Sequence, residues 1–333
     1  MKSILSKNQK YIFIIIAILI CSLYLLSKFN YFNSKALPSS IGDPLELLIV
    51  KNSKNLDDNF FIKLNDLLTT DIGPAPQKEN FLNLIEVYQE DFKGILQRHQ
   101  NILIVSHNSK FNIRFKMDLF ALDQLVIFVE CPSIFALQKN KDQIIKLIQK
   151  IKSIEIKRLS RKFKQYTSKS INEQVENTHN ILITPPKDFF LAYSDSTITW
   201  IRRETPKISQ GIFLSNLASN KLIQSQNNII SIIDSIIKPH IFGPVDGSYM
   251  KSENDAVIKL DSIKVNDFLG VRIQSLWRME NDFMGGIFTA YYLTLKSTSS
   301  PLLIYTYLYA PGERKNVSLL QLEAIISTLS QSK

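Results

Sequence analysis

The sequence has 333 residues, a formal net charge of +10 and two cysteines. The first 35 residues carry five lysines and no acidic residue, so the rest of the chain holds only +5. This excess is too small to indicate a nucleic-acid-binding protein, and we expect no nucleic-acid partner. Cys131 is the one cysteine beyond that segment, which excludes an intrachain disulfide within the folded part. Because it follows an apolar run, Cys131 is predicted to be a buried thiol.

An apolar run near the N-terminus is the first predicted element. Residues 11–27 carry no charge and lie between Lys10 and Lys28. As a helix they measure about 25 Å, near the lower limit for crossing a bilayer. We predict a retained transmembrane anchor over residues 11–27, after a cytoplasmic N-terminus over residues 1–10. Three lysines precede the run and two follow it, so the positive-inside rule places the main domain outside, on the periplasmic side of the cell membrane.

Two other fates of this segment stay open. A lipoprotein signal would end at Cys21, which a cell would acylate, although Ile20 before it and "SLYLL" after it do not suit that site. An ordinary cleaved signal would end after Ala36, rather far from the apolar run. The lipid-anchored protein is the main alternative to the transmembrane anchor.

The first folded half is predicted over residues 44–168, after a linker over residues 28–43 that contains proline and glycine. It opens with a strand in "LELLIV", a helix in "NLDDNFFIKLNDLL" and a strand in "FLNLIEVY". Apolar and polar residues alternate from Phe111 to Leu119, which predicts an antiparallel strand with one buried face. A helical pattern follows from about Ser133 to Tyr166.

The second half is predicted over residues 181–330, because the polar stretch "TSKSINEQVENTHN" before it shows no apolar periodicity. It starts with a hairpin around residues 194–196, followed by a helix in "NNIISIIDSIIKPH" and a long polar loop over residues 242–256. Three strands of a meander are predicted in "VRIQSLWRM", "GIFTAYYLTLK" and "LLIYTYLYA". Ser318 and Gln321 have the spacing of a capping box at the start of the last helix.

This order of elements predicts an α+β fold with mainly antiparallel sheets and packed helices. Each half places three strands before a helix, and each third strand ends in a small residue and a proline, Cys131-Pro132 and Ala310-Pro311. Two similar halves would explain the match. The other explanation is that such a succession of elements is common.

Five stretches along the chain occur in the order "DIGPAP", "NILIV", "LWRMENDFMGGIF", "YLYAPG" and "QLEAI". They resemble an uncharacterised family of exported proteins from Bacteroidota, usually lipoproteins, that contain a domain of unknown function. The resemblance runs from about Ile41 to Leu329 and implies a location in the cell envelope. It implies no catalytic residue. The chain departs from the family at Cys21, where Ile20 does not suit lipidation.

The stretch "SLWRMENDFMGGIF" suggests a ligand site. Gly285 and Gly286 are predicted to adopt positive φ in a tight turn between two strands. The candidate ligand-binding residues are Trp277, Arg278, Glu280, Asp282, Tyr305 and Tyr307. One interpretation is a charged rim that continues into an aromatic platform for sugar or peptide. The other is a hairpin whose aromatic side chains belong to the core and whose charges are solvated.

The predicted long helix is strongly basic, with eleven Lys and Arg against Asp142 and Glu155 between Lys139 and Lys169. At 100° per residue, one narrow sector holds five of these cations, which we call the basic face: Lys146, Lys150, Lys157, Arg161 and Lys164. The simpler interpretation is a solvated face. The alternative is a surface that contacts anionic lipid headgroups or an acidic partner.

The sequence lacks phosphate-binding glycine loops and the HExxH, CxxC and GxSxG motifs. Its four histidines show no metal-ligand spacing, so we predict no metal, no cofactor and no catalytic residue. We expect a noncatalytic envelope protein that binds the membrane and an envelope protein or polymer. The alternatives are a hydrolase that uses Glu280 and Asp282, and a carbohydrate- or peptide-binding module.

Overall fold

The computed structural model describes residues 15–25, 36–52, 56–217, 226–295 and 301–332. Residues 15–25 form helix α1, which exposes isoleucine and leucine side chains and Cys21. Within the described ranges, no helix combines the length and the apolar character that a bilayer crossing requires. The predicted anchor over residues 11–27 and the linker over residues 28–43 lie partly outside these ranges, and residues 1–10 lie wholly outside them. The anchor therefore stays a prediction.

Sheet A is built from the first half of the chain. Its strands are β1 (Glu46–Lys51), β2 (Asn83–Tyr88), β3 (Asn101–His107), β4 (Asn112–Met117) and β5 (Leu125–Cys131). They lie in the order β2-β1-β3-β5-β4, and every neighbouring pair except β4 with β5 is parallel. The apolar runs of β1 and β5 suit inner parallel strands that are covered on both faces.

Helices cover one face of sheet A and a short 3-10 helix lies against the other. The helices are α2 (Asp58–Leu68), α3 (Ile134–Lys139) and α4 (Lys141–Gln165), and the 3-10 helix spans Gly94–Arg98. Helix α4 buries Ile144, Leu147, Ile148 and Ile151, on the side opposite the basic face. The opposite face of sheet A packs Leu48, Val50 and Ile102 against Leu96 of the 3-10 helix.

The edge strand β4 differs from its prediction in one respect. It is antiparallel to β5, as the alternation predicts. Phe111 and Ile113 pack against the core, but Phe115 and Met117 are exposed. The predicted buried face therefore covers only the first part of the strand, because β4 is the outermost strand of sheet A.

Sheet B holds the strands of the second half. They are β7 (Phe190–Ser194), β8 (Ile198–Glu204), β9 (Ser209–Asn216), β10 (Tyr249–Ser252), β11 (Lys259–Val265), β12 (Phe268–Glu280), β13 (Gly285–Leu295) and β14 (Leu302–Tyr309). They lie in the order β10-β12-β13-β14-β9-β8-β7, with β11 also paired to β12, and these pairs are antiparallel. The predicted meander β12–β13–β14 is confirmed, whereas the predicted polar loop contains β10.

Three helices pack on sheet B. Helix α6 (Gln226–Ile237) covers one face through Ile229, Ile233 and Ile237. Helices α5 (Lys169–His179) and α7 (Asn316–Ile326) pack on the other face. Almost all of the polar stretch over residues 167–180 forms α5, which buries Ile171, Val175 and His179 at four-residue spacing, so the expectation of no periodicity there is wrong. A two-stranded sheet of β6 (Ile181–Leu182) and β15 (Ser330–Gln331) closes this half.

The two halves share one apolar core, which contains α4 and α7 together with inner residues of both sheets. Ser160 of α4 bonds Ser327, which follows α7, with their Oγ atoms 2.7 Å apart. The α+β fold with mainly antiparallel sheet is confirmed. The possibility of two similar halves is wrong and the explanation by a common succession of elements remains, because β3, β4 and β5 lie in the order β3-β5-β4 whereas β12, β13 and β14 form a meander.

Helix α7 begins in a way that the sequence did not indicate. The predicted capping box is wrong, because the helix starts at Asn316 and Ser318 lies inside it. The Glu79 carboxylate accepts hydrogen bonds from the backbone N–H groups of Lys315 and Asn316, with the nearest contacts at 2.8 and 2.9 Å. A residue of the first half therefore caps a helix of the second half.

Candidate functional site

The aromatic side chains of the predicted ligand site lie inside the molecule. Trp277, Tyr305 and Tyr307 are buried in the apolar cluster beneath α6. The Trp277 Nε1–H donates to the carbonyl oxygen of Leu308 at 3.3 Å, and the Tyr305 ring stacks on Phe288 with centroids 5.0 Å apart. Burial raises the pKa of Tyr307 to about 12. The interpretation as an exposed platform is therefore wrong and the interpretation as core side chains is confirmed, because α6 covers the face on which these residues alternate.

The charged residues of the same prediction lie at the surface and bind one another. The Glu280 carboxylate lies 2.7 Å from Lys251 Nζ and 2.7 Å from Arg278 Nη2, and Arg278 also lies 3.7 Å from Glu253. The hydrogen bond from Lys251 lowers the pKa of Glu280. Asp282 accepts a hydrogen bond from the backbone N–H that follows it, at 2.6 Å. A general acid requires a raised carboxyl pKa, so this geometry does not favour the hydrolase alternative.

The glycine pair of that stretch has a different role from the predicted one. Gly285 and Gly286 open β13 and neither has positive φ, whereas Asn281 in the turn has φ of 61°. An added Cβ at Gly286 would lie 2.0 Å from the carbonyl oxygen of Leu308. Gly286 is therefore required by the close approach of β14 and not by the turn.

The basic face is exposed along its whole length, as predicted. Its members fall into two groups: Lys157, Arg161 and Lys164 line a large cleft, while Lys146 and Lys150 lie outside it. Arg161 pairs with Asp123 at 2.7 Å. Within the described ranges, Lys157 and Lys164 form no ion pair. The sequence showed one uniform stripe, and the fold gives its two ends different surroundings.

The cleft lies between the two halves and has a volume of about 1230 Å³. Helix α4 forms one wall, and α7 with strands β11 to β14 of sheet B forms the others. Pockets for drug-sized ligands measure about 300–1,000 Å³, so this cleft has room for a larger ligand. Residues from both halves line it, and no short motif marks it in the sequence.

A chain of ion pairs joins the walls of the cleft. Lys152 of α4 lies 2.6 Å from Glu323 of α7, and Glu323 lies 3.3 Å from Arg272 of β12. Arg272 also contacts Asp261 of β11 at 3.1 Å. These four side chains fix α4, α7 and sheet B relative to one another. The pairs are partly buried, so solvent screens them less than it screens exposed pairs.

Tyr291 lies on the sheet-B wall of this cleft and is only 2% exposed. Burial raises the pKa of Tyr291, Glu323 raises it further and Arg272 opposes the shift. Gln274, Thr289 and Thr306 lie side by side on β12, β13 and β14 and also line the cleft. Together these residues make the sheet-B wall of the cleft polar.

Asp71 and Ile72 of the "DIGPAP" stretch line the cleft. The carbonyl oxygen of Ile72 accepts a hydrogen bond from Gln274 Nε2 at 3.4 Å. Gly73 has φ of 111°, and a Cβ there would lie 2.6 Å from Gln274 Oε1. Only glycine combines this backbone conformation with so close an approach. The sequence analysis singled out this stretch, but it did not predict the contact with sheet B.

Both halves of the chain match family models without an assigned function. Residues 168–328 match a model described as Domain of unknown function (DUF4837). Residues 40–164 match a second, Domain of unknown function (DUF8532). The matched ranges meet at the junction of α4 and α5. The predicted likeness to a domain of unknown function is confirmed, while the source and the export of the protein stay predictions.

No curated protein matches the sequence. Among solved structures, the Ran-binding protein Mog1p of Saccharomyces cerevisiae aligns with a TM-score of 0.32 and 7% identity, over 46% of this chain and 91% of that one. The human StarD13 lipid transfer and protein localization domain aligns with a TM-score of 0.21 and 7% identity, over 42% and 85%. TM-scores this low do not indicate a shared fold.

Proposed function

We propose that the protein is a noncatalytic binding protein whose ligand occupies the cleft between α4 and sheet B. The observation that carries this proposal is the cleft itself, about 1230 Å³ and lined by both halves. Its lining combines apolar side chains with the polar groups of Gln274, Thr289 and Thr306, the mixture that is typical of ligand pockets.

Binding accounts for the cleft better than catalysis does. The carboxylates of Asp261 and Glu323 are both engaged by neighbouring cations, Arg272 and Lys152. Two carboxylates that divide acid and base roles need environments that move their pKa values apart. A connected chain of ion pairs instead suits walls that hold a ligand in one orientation.

We also propose that residues 11–27 hold the protein in the cell membrane, with the folded part outside. The support is the uncharged run between Lys10 and Lys28, together with the exposed apolar side chains of residues 15–25. The alternative is a lipid anchor on Cys21, whose side chain is exposed.

Intact mass and protease protection separate these fates. We expect the full-length mass in the membrane fraction, and digestion from about Lys35 onward by protease added outside. A chain that starts at an acylated Cys21 would favour the lipid anchor. A soluble chain that starts near Leu37 would overturn both.

Co-purification tests the ligand site. The full-length protein is isolated from its own cells in mild detergent, and bound small molecules are identified by mass spectrometry. Gln149 and Gln143 are both exposed on α4, but only Gln149 lines the cleft. We expect Gln149→Trp to lose the bound molecule by obstruction, and Gln143→Trp to keep it. If both variants retain the same molecule, or the wild type carries none, the proposal is wrong.

A further inference from the structure

The long axis of the cleft runs along α4. From Ile145 to Lys164 the helix lines it over twenty residues, and a rise of about 1.5 Å from each residue to the next gives roughly 28 Å. The first part of α4 lies beside Phe81, because Lys152 Nζ is 5.8 Å from the centre of that ring. The last part lies beside the end of α7, where Ser160 bonds Ser327. The two ends of the cleft therefore have different neighbours.

One end of the cleft carries an apolar patch, with the charged residues Asp71 and Lys259 beside it. Ile145 and Ile148 of α4 line it together with Phe81 and Leu319. Phe81 is tied to the start of α7, because its carbonyl oxygen accepts a hydrogen bond from Asn316 Nδ2 at 3.0 Å. Ile145 remains exposed although it lies next to buried positions of α4. A ligand segment that covers these side chains would remove apolar surface from water.

The other end is basic. Lys157, Arg161 and Lys164 line it within the last turns of α4, and Arg161 is paired to Asp123, which does not line the cleft. Of the three acidic lining residues, Asp261 and Glu323 are paired with Arg272 and Lys152, and Asp71 lies at the opposite end, bridged to Asn80 beside Phe81. Lys157 and Lys164 have no ion-pair partner in the described part of the chain. A ligand that satisfies this end carries negative charge.

The lining of the cleft therefore changes from apolar side chains at one end to cations at the other. Resting on the proposed function, we infer from this change that the ligand is an amphipathic anion, an extended apolar chain that ends in a phosphate or carboxylate. The chain lies along Ile145, Ile148 and Phe81, and the anionic group lies at Lys157 and Lys164. The ion pairs of Lys152 and Arg272 stay intact between the two ends. A phosphorylated or carboxylated lipid belongs to this class, whereas free phosphate would satisfy only the basic end.

Native mass spectrometry of the full-length protein, released from a neutral detergent, tests this class with defined probes. The probes are dodecyl phosphate, dodecanoate, dodecyl maltoside and inorganic phosphate, each titrated below its micelle concentration. We expect one molecule of dodecyl phosphate or dodecanoate per chain. Dodecyl maltoside and inorganic phosphate should bind about tenfold more weakly or worse, because each satisfies one end only.

Two double variants provide the matched comparison. We expect Lys157→Gln with Lys164→Gln to weaken dodecyl phosphate binding by about tenfold, and Lys146→Gln with Lys150→Gln to leave it unchanged. Both pairs are exposed on α4, and circular dichroism confirms that each variant folds. An equal loss in both pairs would show general adsorption to a basic surface and would overturn the inference. Equal affinity for all dodecyl probes, or for inorganic phosphate, would overturn it as well.

The two proposals fail separately. If no amphipathic anion binds but Gln149→Trp still removes a co-purifying molecule, only the ligand class is wrong. If Gln149→Trp removes nothing, the cleft is not the binding site and both proposals fall.

Discussion

Gly286 shows how a single hydrogen atom in place of a side chain shapes sheet B. A Cβ there would lie 2.0 Å from the Leu308 carbonyl oxygen, whereas at Gly285 the nearest atom, the Trp277 oxygen, lies at 3.1 Å. We expect Gly286→Ala to lower the free energy of unfolding by about 1–3 kcal/mol, as overpacking does, and Gly285→Ala to cost less. Urea unfolding followed by tryptophan fluorescence measures both. Equal losses would mean that close approach is not the reason for Gly286.

His179 links stability to pH. Its Nδ1 lies 2.9 Å from Asn216 Oδ1 and its Nε2 lies 3.0 Å from Thr199 Oγ1, which a neutral ring satisfies by donating at Nδ1 and accepting at Nε2. Burial lowers the pKa of His179 below its usual 6.5, although Asn216 and Asp195 oppose the shift. Below pH 6.5 the unfolded state therefore binds more protons than the folded state.

The stability from His179 is thus present above about pH 6.5 and is lost as the pH falls toward the lowered pKa. The slope is at most about 1.4 kcal/mol per pH unit for one proton. We expect His179→Gln to reduce the loss of unfolding free energy between pH 7 and pH 5. His107 is exposed, and His107→Gln should keep the wild-type slope. An unchanged slope in His179→Gln would contradict this assignment.

At the residue scale, the sequence drew attention to the aromatic residues of β12 and β14 but left open whether they form a platform or belong to the core. The alternation of Tyr305 and Tyr307 in β14 is the same whether that face is open or covered, so only α6 decides that they are buried. The helical period of α4 correctly separated its buried and exposed sides. That period could not show that Lys157 borders a cleft and Lys146 does not, because the other wall comes from sheet B.

At the scale of elements, Glu79 caps α7 from the other half of the chain. Its carboxylate accepts from two backbone N–H groups at the helix N-terminus, where negative charge is favourable. We expect Glu79→Ala to cost about 0.5–2 kcal/mol of unfolding free energy, the range for lost N-caps. The exposed Glu90→Ala serves as the control and should stay within about 0.5 kcal/mol. Equal effects in both variants would mean that Glu79 does not cap the helix.

Elements with strong periodicity were predictable, and their order in the sheets was not. The runs of β1, β2 and the meander β12–β14 were identified from apolar patterns alone. Parallel pairing of β1, β2, β3 and β5 escaped prediction because residue alternation does not report which strands are neighbours. Helix α5 was missed because Ile171 and Val175 are its only apolar residues, too few to show a period. The cap by Glu79 is a contact across more than 230 residues, for which the sequence carries no local signal.

At the scale of the whole molecule, the shared core predicts that the two matched regions unfold together. Trp200 and Trp277 are the two tryptophans, both in the second half, so their fluorescence reports sheet B. Far-UV circular dichroism also reports α2 and α4 of the first half. We expect one urea transition with the same midpoint by both probes. Two separated transitions would show that α4 and α7 do not couple the halves.

The cleft is the feature that depends most on the whole molecule, because α4 comes from one half and the strands that face it from the other. A photoreactive benzoylphenylalanine in place of Ser153, which lines the cleft, tests whether a ligand occupies it in living cells. The same group in place of Gln143 is the control, since that exposed position of α4 lies outside the cleft. After irradiation, we predict a discrete small-molecule mass added to the protein labelled at position 153 and none at position 143. No adduct at position 153, or the same adduct from both positions, would contradict the claim that this cleft is a ligand-binding site.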